Sequence, residues 1–466
     1  MNVDVRPTLK STRSKGLTAS NTPRVLLLSS CLLVMMFSWG PLGNTPKLAA
    51  LLMAALLTGV ALFKPMIVSF RGRLRQADQV LLALLLVAGL ILTGAYLAGA
   101  ITNLASPSWI AVVSAYTILG LAGTIPLVGR LPHLVWVFWI FLAVHAALTV
   151  VFLHATPTAI DVQMFQHDGA AALLNGHNPY SMTFPNLYSP RLTEMFYGHG
   201  VVANGRITYG FPYLPVTLLV AIPGQLLGDV RYSQLIAMLV TGLVLRRLAK
   251  DRYGRAAAVL GFTAPVAIPM LSGAWTEPTL VALLACLVLA LERRKQAILA
   301  VFLGLFLVSK QYVAVALPIV WLIRQSLTRR VILIGLGVAT AVTLPFFLVN
   351  PPSFWKAIVE FQLVQPFRAD SVSLLVSSVT TFGWPPPWTY GVLPIAGGGL
   401  TAMALALRAP RTPAALAAGV GLTLLVTILL SKQAFMNYYF IVSGALLIAT
   451  VAWPTQQPLT APEQRS

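Results

Sequence analysis

Residues 134–153 read LVWVFWIFLAVHAALTVVFL, residues 154–160 HATPTAI, and residues 161–180 DVQMFQHDGAAALLNGHNPY. The first run is apolar apart from His145 and Thr149. It is long enough to cross a hydrocarbon core of roughly 30 Å as a helix. The stretch from residue 154 to residue 213 is polar and rich in proline and aromatic residues. The whole chain has 12 Asp and Glu among 466 residues. Two of them, Asp161 and Asp168, stand just past the end of this span. That is where a membrane enzyme would keep a general base.

Outward from this stretch the composition repeats the message. The chain is 57% hydrophobic and 9% charged, with mean hydropathy +0.81. Apolar runs of spanning length recur, which predicts an all-α polytopic membrane protein. Helices satisfy every backbone amide internally, as lipid demands, and long Leu/Ala/Val/Gly runs lack the alternation of a β-barrel. The net charge of +20 invites a nucleic-acid reading. The basic residues instead form small clusters between apolar runs, such as Arg71/Arg73/Arg75, Arg246/Arg247/Lys250/Arg252/Arg255 and Arg293/Arg294/Lys295. That is the pattern of the positive-inside rule, so no nucleic-acid partner is expected. Cys31 and Cys286 both lie in apolar runs, which argues against a disulfide or a thiol metal site.

The clusters set a topology. Spans are expected near 25–39, 48–70, 79–102, 109–129 and 134–153, then near 256–274, 278–291, 296–309, 312–323, 331–349, 391–407, 413–430 and 434–452. One further crossing is expected within 209–245, where Pro212, Pro215 and Pro223 break an apolar piece that reads as interfacial or re-entrant. The total is about 14 spans, with both termini cytoplasmic and the loop after residue 153 outside. Of the 32 Lys and Arg, 24 then fall inside and seven outside, with Arg231 ambiguous. The outer charges include Asp161, Asp168, Glu277, Lys310, Arg368 and Lys432. No sorting rule explains them, which makes them functional candidates.

Read as a short helix, 161–174 places Asp161 and Asp168 two turns apart on one face, roughly 10 Å along the axis. They would play different parts rather than share a proton. Asn178-Pro179-Tyr180, Tyr188, Phe196, Tyr197, Tyr209, Phe211 and Tyr213 supply rings that suit either a membrane-interface belt or sugar stacking. Ser309-Lys310-Gln311 and Ser431-Lys432-Gln433 repeat one tripeptide at two outer hairpins. A lysine there either snorkels to the interface or holds a lipid phosphate. Glu277 either fixes a substrate hydroxyl or caps the next helix. Arg368 either holds a second phosphate oxygen or pairs with Asp370. His154, His167, His177 and His199 share the outer loop at spacings that fit no metal template.

At these residues the chain resembles the GT-C superfamily of membrane glycosyltransferases, and within it the bacterial polyprenyl-phosphate-mannose-dependent α-mannosyltransferases. The resemblance is carried by Asp161, Phe165, Ala170 to Ala172, Leu173-Leu174, Gly176 and Pro179-Tyr180. Tyr209-Gly-Phe-Pro-Tyr-Leu-Pro215, Gly228-Asp-Val-Arg231, Lys310-Gln311 before Pro318, and Phe435-Met-Asn-Tyr-Tyr439 extend it over roughly 134–450. It implies a GT-C-like bundle with a long extracytoplasmic loop carrying short interfacial helices. It also implies an inverting transfer of a sugar, mannose in that group, from a polyprenyl-phosphate donor to a glycan or glycolipid acceptor at the outer face of the cell membrane. Asp161 would be the base. Lys310 or Arg368 would hold the phosphate, and Asp168, Tyr180, Glu277, Gln311, Lys432 and Tyr438 would line the substrate. No cofactor beyond the lipid-linked donor is implied, and metal assistance is not readable from the sequence.

The expected organisation is a basic cytoplasmic tail at 1–24, a four-helix membrane extension at 25–130, the catalytic membrane domain at 131–452 with its outer loop at 154–208, and a cytoplasmic tail at 453–466. The superfamily's loop usually comes after the first span, so the extension is a departure. The rival is a secondary transporter or flippase, which should show paired halves and mid-membrane ionisable groups; His145 is the one clear case. Sidedness is directly testable. A cysteine at Ser181 should react with an impermeant thiol reagent in intact cells, and labelling only after permeabilisation would invert the topology.

Overall fold

The computed structural model describes residues 22–39, 43–63, 73–102, 106–129, 131–264 and 266–453. The two tails, apart from Thr22 to Arg24 and Trp453, and the Arg71 position of the first basic cluster lie outside those residues. The fold is helical almost throughout. The expected spans appear as Thr22–Trp39, Asn44–Phe63, Arg73–Ile101, Pro107–Leu127 and Val135–Ala155, and later as Arg329–Val349, Val392–Arg408, Pro413–Leu429 and Met436–Ala452. Among the described residues seven helical segments are long and apolar enough to cross a membrane, and five more are apolar but shorter.

The helices sort into a lipid-facing rim and a sealed centre. Arg329–Val349 turns Leu333, Leu336, Leu348 and Val349 outward, all more than half exposed, as hydrocarbon solvent allows. Pro413–Leu429 and Met436–Ala452 are buried along nearly their whole length. The first helix of the N-terminal extension is part of this centre. Thr22–Trp39 packs along both Asn44–Phe63 and Met436–Ala452, and its Leu27, Leu28, Cys31 and Val34 are fully buried. His145 finds a partner within the bundle, its Nδ1 lying 2.8 Å from the Tyr116 hydroxyl.

Two stretches depart from the simple expectation. The 256–274 run is three short helices, Arg252–Ala257, Leu260–Thr263 and Ala267–Ser272. Residues Gln311–Ser326 form 3₁₀ turns interrupted by a kink at Ile323, and their Pro318 lacks the N–H an α-helical ladder would use there. The Pro-rich piece is the 12-residue helix Pro215–Leu226. At about 18 Å it is too short to span the core unaided.

The 154–208 segment carries the short helices Asp161–Leu174 and Pro190–Tyr197. It also carries a small antiparallel sheet that the sequence did not announce. Phe184–Pro185 and Val202–Ala203 flank Arg206–Ile207, with Phe184 and Val202 both opposite Ile207. Strands this short offer too little alternation to be read from sequence.

The charged groups assigned to opposite sides gather at opposite ends. Arg24 pairs with both carboxylate oxygens of Asp251, and its Nε donates to the Thr450 carbonyl at 3.0 Å. Lys250 pairs with Glu292 at that same end. Glu277, Lys310, Arg368, Lys432 and Asp161 converge at the other.

Candidate active site

Asp161 owes its place to the clamped linker before it. The span Val135–Ala155 ends with free carbonyls, and Arg231 caps them. Its Nη2 donates to the Leu153 carbonyl at 2.7 Å and its Nη1 to that of Thr156 at 2.9 Å. A cation at a helix C-terminus is favoured by the helix dipole. Asp229 in turn grips the Arg231 guanidinium at 2.7 and 2.9 Å. Thr158 ties the linker to the Ser272 carbonyl at 2.7 Å. Just beyond this anchor the helix Asp161–Leu174 begins, with Asp161 as its first residue.

That position, with three polar contacts, orients the carboxylate. Oδ1 accepts from the Val162 N–H at 2.8 Å, and Oδ2 accepts from the Tyr197 hydroxyl at 2.8 Å. The Asp161 N–H donates to the Tyr188 hydroxyl at 3.2 Å. Tyr188 is braced edge-on by Phe196, and Tyr197 leans on Phe361. The residue is half-buried, with protein packed closely round the carboxylate. Burial pushes its pKa up; the hydrogen bonds from Tyr197, Val162 and Tyr188 and the charge of Arg368 pull the other way without cancelling it. The phenols of Tyr188 and Tyr197 are pushed up as well, first by burial and then by the Asp161 charge. They therefore stay protonated as donors.

A second charged group lies at the same end of the bundle. Lys310 Nζ meets Glu277 Oε1 at 2.5 Å, with side-chain exposures of 8% and 0%. Three tyrosine rings, Tyr213, Tyr312 and Tyr438, surround the ammonium at 5.0, 5.5 and 5.6 Å from their centroids. Such contacts stabilise a cation where water is scarce. Glu277 Oε1 also lies within 3.4 Å of the Tyr312 hydroxyl and 3.2 Å of Asn437 Nδ2, while Oε2 has no hydrogen-bond partner among the described residues. Glu277 opens the helix Glu277–Glu292, so it answers the helix dipole and the lysine together. Tyr213 and Tyr438 lie within electrostatic reach of both Asp161 and Glu277.

The third charged group is Arg368. It grips Asp370 with two parallel hydrogen bonds of 2.8 and 2.7 Å, and its guanidinium lies over Phe196 at 4.4 Å and Phe435 at 4.6 Å. Its N–H donates to the Lys432 carbonyl at 3.2 Å.

The remaining sequence-predicted residues act on the frame. Lys432 gives its ammonium protons to the Leu363 and Gln365 carbonyls at 3.1 and 2.5 Å, and burial pushes its pKa down. Gln311 binds the Pro212 and Ile358 carbonyls at 2.9 and 3.2 Å. Tyr180 is sealed between Phe211, Phe346 and Phe354, and its hydroxyl donates to the Tyr213 carbonyl at 2.9 Å. Gly210 lets the chain pass there: a Cβ would come within 2.1 Å of the Tyr180 carbonyl oxygen. Asp168, two turns along the helix, pairs with His167 at 2.9 Å and makes no hydrogen bond to the Asp161 carboxylate or its tyrosines. Among the described residues no three His, Cys, Asp or Glu side chains come together as a metal site.

Tyr197, Tyr312, Asn437, Phe196 and Phe435 were not singled out as site residues by sequence. Tyr197 and Phe196 stood only among the loop aromatics. Their signal is compositional: aromatic residues concentrated in one loop that also carries carboxylates.

No family model matches the chain, and no curated protein is similar to it. Among solved structures, the crystal structure of ArnT from Cupriavidus metallidurans bound to undecaprenyl phosphate is similar at TM-score 0.41 and 20% identity, over 67% of this chain. The match spans 60% of the ArnT chain.

The caged ion pair makes a stability prediction. Lys310→Met leaves Glu277 buried and uncompensated, which should cost about 3–5 kcal/mol. Lys310→Met with Glu277→Gln should recover most of that loss, read by thermal melting of the purified protein. Equal melting of the two variants would contradict the pairing.

Proposed function

We propose that this protein is an inverting glycosyltransferase that takes a sugar from a polyprenyl-phosphate donor and passes it to a glycan or glycolipid acceptor at the outer face of the cell membrane. The observation that carries the reading is the Asp161 carboxylate, oriented by Tyr197 and Tyr188 and faced by Arg368 and the caged Lys310–Glu277 pair. A carboxylate of raised pKa opposite cations is what base-assisted displacement of a phosphate requires.

In this reading an acceptor hydroxyl enters beside Asp161. Its oxygen attacks the anomeric carbon while Asp161 takes its proton. The bond from that carbon to the phosphate oxygen breaks, the electron pair leaves with the polyprenyl phosphate, and the configuration inverts. Arg368 neutralises the departing charge, and Tyr213 and Tyr438 lie within reach of both Asp161 and Glu277. Mannose as the sugar rests on the sequence resemblance. The arrangement with both termini cytoplasmic and about 14 spans rests on the basic clusters.

Asp161→Asn keeps size and removes the proton acceptor, so it should lower transfer by about 10²–10⁴ while melting unchanged. Asp168→Asn should cost much less. A dead Asp168 variant beside an active Asp161 variant in a purified assay would assign the base elsewhere.

The pH dependence has a definite sign. The base works ionised, so activity should fall as pH drops through the raised pKa of Asp161. Tyr197→Phe removes a hydrogen bond to the charged form, raises that pKa further, and should move the acid limb of the rate profile to higher pH. An acid limb that stays put would detach Tyr197 from the base.

A further inference from the structure

Two carboxylate-paired cations lie at the Asp161 end of the bundle, Arg368 near enough for its charge to act on Asp161, and their partners differ in freedom. Glu277 is fully enclosed, and taking it from Lys310 would strand a charge in a low-dielectric pocket. Asp370 is 44% exposed while its partner Arg368 is 13% exposed, so the carboxylate can turn to water and the guanidinium cannot go with it. Phe196 and Phe435 hold the guanidinium, and the Lys432 carbonyl holds its backbone. A carboxylate and a phosphate present the same feature to arginine, two oxygens that accept parallel N–H bonds.

We infer that Arg368 is the seat of the donor's phosphate and that the Asp370 carboxylate fills this seat until the lipid phosphate displaces it. The identity of the ligand rests on the glycosyltransferase reading above; the seat itself rests on the geometry of Arg368. Phe196 precedes Tyr197 in one short helix, so the ring that backs the seat adjoins the hydroxyl that aims the base. The Lys310–Glu277 pair is then a fixed wall, neutral overall. Self-pairing keeps an aromatic-lined cation from capturing other anions, and Asp370 returns when the product phosphate leaves.

Binding of undecaprenyl phosphate to the full chain in phosphatidylcholine nanodiscs tests this without requiring turnover. An internal competitor lowers apparent affinity by the fraction of time it occupies the seat, so Asp370→Asn should tighten binding about two- to fivefold. Arg368→Gln should weaken it roughly ten- to hundredfold. The double variant should bind like Arg368→Gln alone, since without the arginine Asp370 has nothing to block. Inorganic phosphate at matched concentration should not displace the lipid; equal displacement would overturn the lipid assignment. If Asp370→Asn leaves affinity unchanged or weakens it while the wild type binds, the displacement model falls and the glycosyltransferase reading stands. If the wild type shows no saturable binding, the donor reading falls and takes the seat with it.

Discussion

The Lys310–Glu277 pair is the constraint around which one end of the bundle is arranged. Two opposite charges lie where water does not reach, and neither can be removed alone without leaving the other exposed to a low dielectric. Holding them together requires the first turn of Glu277–Glu292, the hairpin at 309–311, the Pro-rich turn carrying Tyr213 and the start of Met436–Ala452 to meet at one point.

The other charges near this end of the bundle obey the same rule on a graded scale. Arg231 with Asp229 is buried and caps a helix, which anchors the linker to Asp161. Arg368 with Asp370 is half open. The Asp161 carboxylate, unlike those of Glu277 and Asp370, is held by one hydroxyl and one backbone N–H rather than by a cation. A carboxylate held by neutral donors stays available to a proton, which a carboxylate locked in an ion pair does not.

The twin Ser-Lys-Gln tripeptides show how one local device serves two ends. Each serine hydroxyl donates back into the helix before it, Ser309 to the Phe306 carbonyl and Ser431 to that of Thr427, both at 2.7 Å. Each glutamine then reaches the 351–370 segment, Gln311 at Ile358 and Gln433 at Pro366. The lysines diverge. Lys310 finds Glu277, and Lys432 finds carbonyls. Identical tripeptides thus hold one crossing segment at two points, and only one contributes charge to the cleft.

The class of molecule and most of its helices were legible in the order of residues alone. Hydrophobic length and basic clustering act locally and need no partner, so the spans near 25–39, 134–153, 331–349 and 434–452 could be read, as could the isolated position of Asp161. Which polar groups meet was settled only when the helices packed. Glu277 and Lys310 are 33 residues apart, Asp161 and Tyr197 are 36 apart, and Asn437 reaches Glu277 across 160. No periodicity encodes such pairings; they arise because buried polar atoms must find partners in the folded bundle. The same requirement turned Tyr180 inward and spent Lys432 on carbonyls, though both looked in sequence as exposed as the residues that face the cleft.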